Sequence, residues 1–283
     1  MKRLCVATDL SPRSAVARRR AAMIAGPKAW ALTLLHAIDD DQPPGVLSAH
    51  RAAAEAALAA EAAALAREAG VACDARVILG DPSESLAQAA AGADMLIIGP
   101  HRRRAIRDFF IGTTGERLIR AAATPVLSVH APPQAPYRKL LLAVDGSPAS
   151  AAALAAVRAL ALTPAQDVTA LMVADAPEVS LLRRGGATAA ERDAVIRAAE
   201  RAAALRLAAF LPHGGFPCAR ETAFASDQTV AQTICDAAER LECDLIVMGT
   251  RGLRGAPARF IGGVAEQVLS RARIDVLAAP PAS

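Results

Sequence analysis

At 283 residues the chain is longer than one typical domain and suits two of about 140 residues each. It is 53% hydrophobic but only 3% aromatic, so its cores must be built from Ala, Val, Leu and Ile, which suits helices packed closely on a parallel sheet. The formal charge of +4 divides as 16 Lys+Arg against 13 Asp+Glu up to Gln134 and 16 against 15 beyond it, and this balance excludes a dedicated nucleic-acid binder in either half.

Taken in chain order, Lys2 to Thr8 reads as a short apolar strand, and Ser11 followed by Pro12 as a helix start with a side-chain cap and proline at the first helical position. That helix runs to about Ala25. Ala31 to Ile38 is a second strand, Ser48 to Ala69 an Ala-rich helix ended by Gly70, and Val71 to Leu79 a third strand. Glu84 to Ala91 is a helix, Met95 to Ile98 a buried strand, Thr114 to Ala122 a helix and Val126 to Val129 the last strand. A proline-rich linker follows, and the same order begins again. In the second round Lys139 to Val144, Val168 to Val173, Ala219 to Ala225, Leu245 to Met248 and Val276 to Ala279 are the strands.

The second round is a repeat of the first. Asp9, Ser11, Pro12 and Ser14 recur as Asp145, Ser147, Pro148 and Ser150, all at an offset of 136, and Asp39 and Asp175 keep it. Further on, Gly99, Gly112, Glu116 and Val126 match Gly249, Gly262, Glu266 and Val276 at an offset of 150. The extra residues of the second copy are expected in a loop at Arg183 to Gly186 and in the turn of Pro212, Gly214 and Gly215. The expected architecture is α/β: two tandem doubly wound, Rossmann-like parallel-sheet domains, 1–131 and 139–283, joined by a linker at 132–138.

In such sheets ligands bind beyond the carboxyl ends of strands, where the strand order reverses. The residues there are Asp9 and Asp145 after the first strand of each copy, and two glycine-bearing loops after the fourth. The first loop carries Gly99, Gly112 and Thr113; the second carries Gly249, Gly252, Gly262 and Gly263. These loops resemble the nucleotide loop of the universal stress protein family, G-x2-G-x9-G-[ST]. Supporting stretches are V-A-T-D-x-S at the N-terminus, L-L-H at Leu34 to His36, G-D-P at Gly80 to Pro82, T-P-V-L at Thr124 to Leu127 and D-L-I-V-M-G at Asp244 to Gly249.

The resemblance spans both halves and implies an adenine nucleotide alpha hydrolase-like fold. It also implies backbone amides and a final hydroxyl holding ATP phosphates at a helix N-terminus, with Asp9 or Asp145 near the adenine and ribose. Val173 resembles a further family contact. Each copy departs from the pattern: Arg102 stands at the second glycine of the first loop, and Gly263 at the hydroxyl position of the second. His101 and the run Arg102 to Arg104 read either as phosphate contacts or as a solvated face. His36, on an apolar strand, reads as a satisfied core histidine.

The implied function is a cytoplasmic stress-response regulator that binds ATP or a related adenine nucleotide weakly, chiefly in the second copy, with magnesium entering only on the nucleotide. The alternative is a nucleotide-free tandem adaptor acting on a protein partner. No G-x-x-x-x-G-K-[ST] loop, no C-x-x-C pair among the five cysteines and no G-x-S-x-G turn occurs in the sequence, so neither a catalytic set nor a metal site is expected. No signal peptide or membrane span is expected, and neither is a nucleic-acid or membrane partner. Because single-domain members of the family pair as two-fold dimers, the two copies are expected to form an internal pseudo-dimer through their last strands, with a homodimer of the whole chain as an option.

Overall fold

The computed structural model describes residues 1–99, 114–176, 178–211, 216–225, 228–252 and 261–281. The first half contains β1 (Arg3–Ala7), α1 (Ala15–Ala25), β2 (Ala31–Ile38), α2 (Pro44–Ala69), β3 (Cys73–Leu79), α3 (Pro82–Ala89), β4 (Met95–Ile98), α4 (Thr114–Ala121) and β5 (Val126–Ser128). The second contains β6 (Leu140–Ala143), α5 (Pro148–Leu160), β7 (Val168–Ala174), α6 (Glu178–Arg184), α7 (Ala189–Phe210), β8 (Ala219–Phe224), α8 (Val230–Arg240), β9 (Leu245–Gly249), α9 (Gly263–Arg271) and β10 (Asp275–Ala279).

Among the described residues the ten strands form one sheet, ordered β3-β2-β1-β4-β5-β10-β9-β6-β7-β8. Pairing is parallel within each half, and the halves meet through one antiparallel pair, with Val126, Leu127 and Ser128 of β5 opposite Ala278, Leu277 and Val276 of β10. The expected edge-to-edge pseudo-dimer is therefore what the chain forms. Each half thus covers with its counterpart an apolar edge that would otherwise be left unpaired. The strand order reverses between β1 and β4 in the first half and between β6 and β9 in the second.

Alternate residues of each strand feed two core layers. Leu4, Val6, Leu140, Leu142 and Leu277 pack under α1, α2, α5 and α7. Cys5, Leu141, Ala143, Val276 and Ala278 pack under α3, α4, α8 and α9. Both layers draw on both halves, so the cores are continuous across the β5–β10 seam.

Several sequence expectations need correction. Ser11 does not start a helix: α1 begins at Ala15 after Ser14, because Ser11 turns back and gives its amide and hydroxyl to Asp9. The same motif does start a helix in the second half, where the Ser147 hydroxyl accepts the amide of Ser150. The Ala-rich α2 begins at Pro44 rather than Ser48, with proline in the first turn where its fixed φ is pre-organised. Arg183 and Arg184 lie in α6 and not in a loop; only Gly185 and Gly186 leave it, Gly186 at φ +78°. The turn of Pro212, Gly214 and Gly215 lies outside the described residues.

The segment between β5 and β6 is not a loose tether. Tyr137 is buried in it, and the amides of Arg138 and Lys139 both donate to the Asp244 carboxylate.

Candidate functional site

The second half assembles most of its candidate residues at the carboxyl ends of β6 and β9. Beyond β6 the chain turns through Asp145, Gly146 and Ser147, with Gly146 left-handed at φ +85°. The turn is held by the aspartate. Its Oδ1 accepts the Ser147 amide at 2.9 Å and the Ser150 hydroxyl at 2.7 Å, while the Asp145 amide donates to Ser150 Oγ at 3.0 Å. The Ser147 hydroxyl donates to the carbonyl of Arg251 at 3.3 Å, which ties this turn to the loop after β9.

Each glycine of that loop has its own reason. A Cβ on Gly249 would stand 2.6 Å from the carbonyl carbon and Cβ of Ala149, so this glycine is demanded by the approach of α5. A Cβ on Gly252 would stand 3.0 Å from Asp145 Oδ2, so the carboxylate occupies the space its absence leaves. Gly262 precedes α9 and donates its amide to Thr250 O at 2.8 Å, and Thr250 donates to Ala279 O at 2.9 Å. The two ends of the loop are thereby pinned together although residues 253–260 lie outside the described residues. Gly263 opens α9, and a Cβ there would meet no atom of the described residues within 4 Å. Val173 lies at the same end of the sheet on the neighbouring β7, just past Leu171, whose carbonyl accepts the Val144 amide.

The first half builds the corresponding turn differently. Leu10 occupies the left-handed position of Gly146, at φ +60°. Asp9 is exposed, and its Oδ1 accepts the Ser11 amide at 3.0 Å and hydroxyl at 2.6 Å. Partial burial pushes this carboxyl up, but the Ser11 hydrogen bonds outweigh it and hold the group below the usual carboxylate range. Ser14, the counterpart of Ser150, pairs instead with the Thr8 hydroxyl at 2.8 Å. Arg18 joins both hydroxyls and reaches Glu61 of α2 at 3.1 Å.

A Cβ on Gly99 would be in ordinary contact with Ser14 Cα at 3.5 Å, unlike that on Gly249. Gly112, Thr113, His101 and Arg102 to Arg104 lie outside the described residues. His36 is buried with Nδ1 at 2.8 Å from Thr8 O, a satisfied core histidine.

The residues that sequence reasoning passed over are Ser150 and Thr8. The serine was visible as a repeated residue at the 136 offset, but nothing in that identity distinguishes its two uses. Among the described residues no group of three His, Cys, Asp or Glu side chains is placed to hold a metal ion, and no helix is long and apolar enough to cross a membrane.

Comparison with known proteins follows the same division into halves. A family model described as the universal stress protein family matches residues 1–130 and again residues 136–280. A universal stress protein of Mycobacterium tuberculosis strain H37Rv is 24% identical over 207 residues, which cover 72% of this chain and 67% of that protein. Among solved structures, a universal stress protein from Archaeoglobus fulgidus DSM 4304 superposes with a TM-score of 0.68 at 16% identity, covering 99% of this chain and 98% of that one. One from Pseudomonas aeruginosa UCBPP-PA14 gives a TM-score of 0.61 at 20% identity, covering 100% and 94%.

Proposed function

Because the chain belongs to the universal stress protein family in both of its halves, we propose that it is a stress-response regulator that binds ATP or a related adenine nucleotide weakly in its second half. The observation that supports this reading best is the convergence of Asp145, Gly252, Gly262 and Gly263 at the point where the strand order of the second half reverses.

The residues present suit such a ligand. The start of α9 would offer backbone N–H groups to phosphate, and a Cβ on Gly263 would meet no described atom within 4 Å. Asp145 Oδ2 lies beside Gly252, which in turn lies beside Gly262 at that helix start, and would meet the nucleoside. Magnesium would arrive with the phosphates. Binding is weak because position 263 has no hydroxyl: one hydrogen bond to a charged group is worth about 1.5–3 kcal/mol, a ten- to hundredfold change in affinity. The role is binding rather than rapid turnover, since hydrolysis needs a positioned base and a charge clamp at the transferred phosphate.

Isothermal titration with ATP tests the reading. Saturable heat from the intact protein, lost in Asp145→Ala, is the expected result. If neither the intact protein nor Gly263→Ser gives heat at millimolar ATP, the nucleotide reading fails and the tandem adaptor takes its place.

A further inference from the structure

The two halves carry the same serine at the start of the first helix of each copy and use it differently. In the second half, buried Ser150 both donates to Asp145 Oδ1 and accepts the Asp145 amide, so one hydroxyl fixes the backbone and the carboxylate of the same residue. In the first half, Ser14 is equally buried, yet its hydroxyl pairs with Thr8, donates to the Ser11 carbonyl and accepts from Arg18. The residue that precedes the aspartate is one difference between these settings, and the residue four places beyond the serine, Arg18 or Leu154, is another. Thr8 offers Ser14 a hydroxyl at 2.8 Å; Val144, at the matching position, offers only methyl groups, so Ser150 turns to the aspartate. A buried hydroxyl takes whichever partner lies in reach, because leaving it unmade is costly.

From this contrast we infer that Ser150 is the positioning residue of Asp145, and that Ser14, held by Thr8, Arg18 and the Ser11 carbonyl, braces Asp9 less firmly. The inference rests on the nucleotide reading of the second half. Asp145 Oδ1 is held by Ser150 and by the Ser147 amide, which turns Oδ2 toward the Cα of Gly252. Asp9 takes its close hydrogen bonds from Ser11 in its own exposed turn, and buried Ser14 adds only a lesser contribution. A carboxylate fixed before the ligand arrives binds it without the entropy cost of ordering on contact. One nucleotide per chain follows.

Phosphorus-31 NMR titrations of ATP and of inorganic tripolyphosphate separate positioning from general damage to the fold. The wild-type chain is expected to bind one ATP. Ser150→Ala is expected to weaken ATP about tenfold and to leave tripolyphosphate unchanged, because the phosphates meet α9 rather than the aspartate. Val144→Thr keeps Ser150 and the local volume, gives that serine the competing hydroxyl that Thr8 gives Ser14, and is expected to weaken ATP in the same way. ATP bound equally by wild type and both variants, or two equivalent ATP sites per chain, overturns the positioning role and leaves the nucleotide reading standing. Parallel loss of ATP and tripolyphosphate in both variants also overturns it, as damage to the fold. No ATP binding by the wild-type chain removes the nucleotide reading and the positioning role together.

Discussion

Arg20 in the first half and Asp275 in the second, 255 residues apart in sequence, meet at 3.0 Å with both side chains almost wholly buried. The contact is a hub. Asp275 Oδ2 also accepts the Tyr137 hydroxyl at 2.6 Å, its Oδ1 accepts the His130 amide at 2.9 Å, and Arg20 donates to Ala135 O while stacking 4.0 Å from the Tyr137 ring centroid. First half, linker and second half are joined in one buried polar cluster beside the β5–β10 seam. Removing one partner of such a pair strands the other charge in the interior, which costs about 3–5 kcal/mol. Arg20→Ala is therefore expected to lower the unfolding free energy by about that amount in urea titration. A loss under about 1 kcal/mol would show that the pair contributes little to holding the halves together.

Tyr137 is the one tyrosine of the chain, so its ionisation can be followed directly by absorbance near 295 nm. Burial first, and then the Asp275 charge, push its hydroxyl well above the usual tyrosine value, with Arg20 opposing. A folded value raised above the unfolded one means that the contribution to stability is complete below about pH 10, the ordinary tyrosine value, and is lost as pH rises toward the folded value. Tyrosinate is expected to appear only as the protein unfolds in alkali, and near pH 10 in denaturant. A normal titration in the folded protein would place the ring in water.

Gly249 and Gly99 are equivalent in the repeat but not in what surrounds them. Alanine at 249 would drive its Cβ to 2.6 Å from the Ala149 backbone, whereas alanine at 99 meets its nearest atom at 3.5 Å. Overpacking against backbone costs about 1–3 kcal/mol. Gly249→Ala is expected to fall in that range by thermal or urea denaturation, and Gly99→Ala to stay within about 1 kcal/mol of wild type. Equal effects would mean that α1 and α5 approach their strands alike.

Much of this architecture was legible because it repeats. Two runs of alternating apolar strands and helices fixed the double winding, and the short apolar strands ending each copy foretold the β5–β10 pairing. What breaks the repeat was not legible. The Arg20, Asp275 and Tyr137 cluster has no second copy, since the matching positions of the two charged residues hold Ala156 and Pro125. Its three members are also scattered through the chain. Ser14 and Ser150 are the same residue in the same frame, and their neighbours, Thr8 and Arg18 against Val144 and Leu154, give them different partners. Gly249 fits the phosphate-loop spacing, yet its immediate cause is the packing of Ala149. A motif position can satisfy the fold and the ligand at once, and spacing alone does not separate the two.

The hydroxyl missing from the second glycine loop gives the last prediction. Gly263 is the first residue of α9, Gly262 before it provides no side-chain cap, and a Cβ at 263 would meet no described atom within 4 Å. Serine therefore enters without displacing any described atom, and it replaces the residue with the greatest backbone freedom at a helix start. Its hydroxyl would stand beside the exposed amides of the first turn, where an anion is favoured by the helix dipole and a further donor adds a bond to a charged oxygen. Gly263→Ser is expected to tighten ATP binding about tenfold, in line with one such bond, and to leave the thermal midpoint equal to wild type or slightly above it. Titration of both proteins with ATP and with adenosine isolates the effect, since adenosine carries no phosphate and its affinity should not change. A variant that binds ATP no better than wild type would mean that the phosphates do not lie at the start of α9.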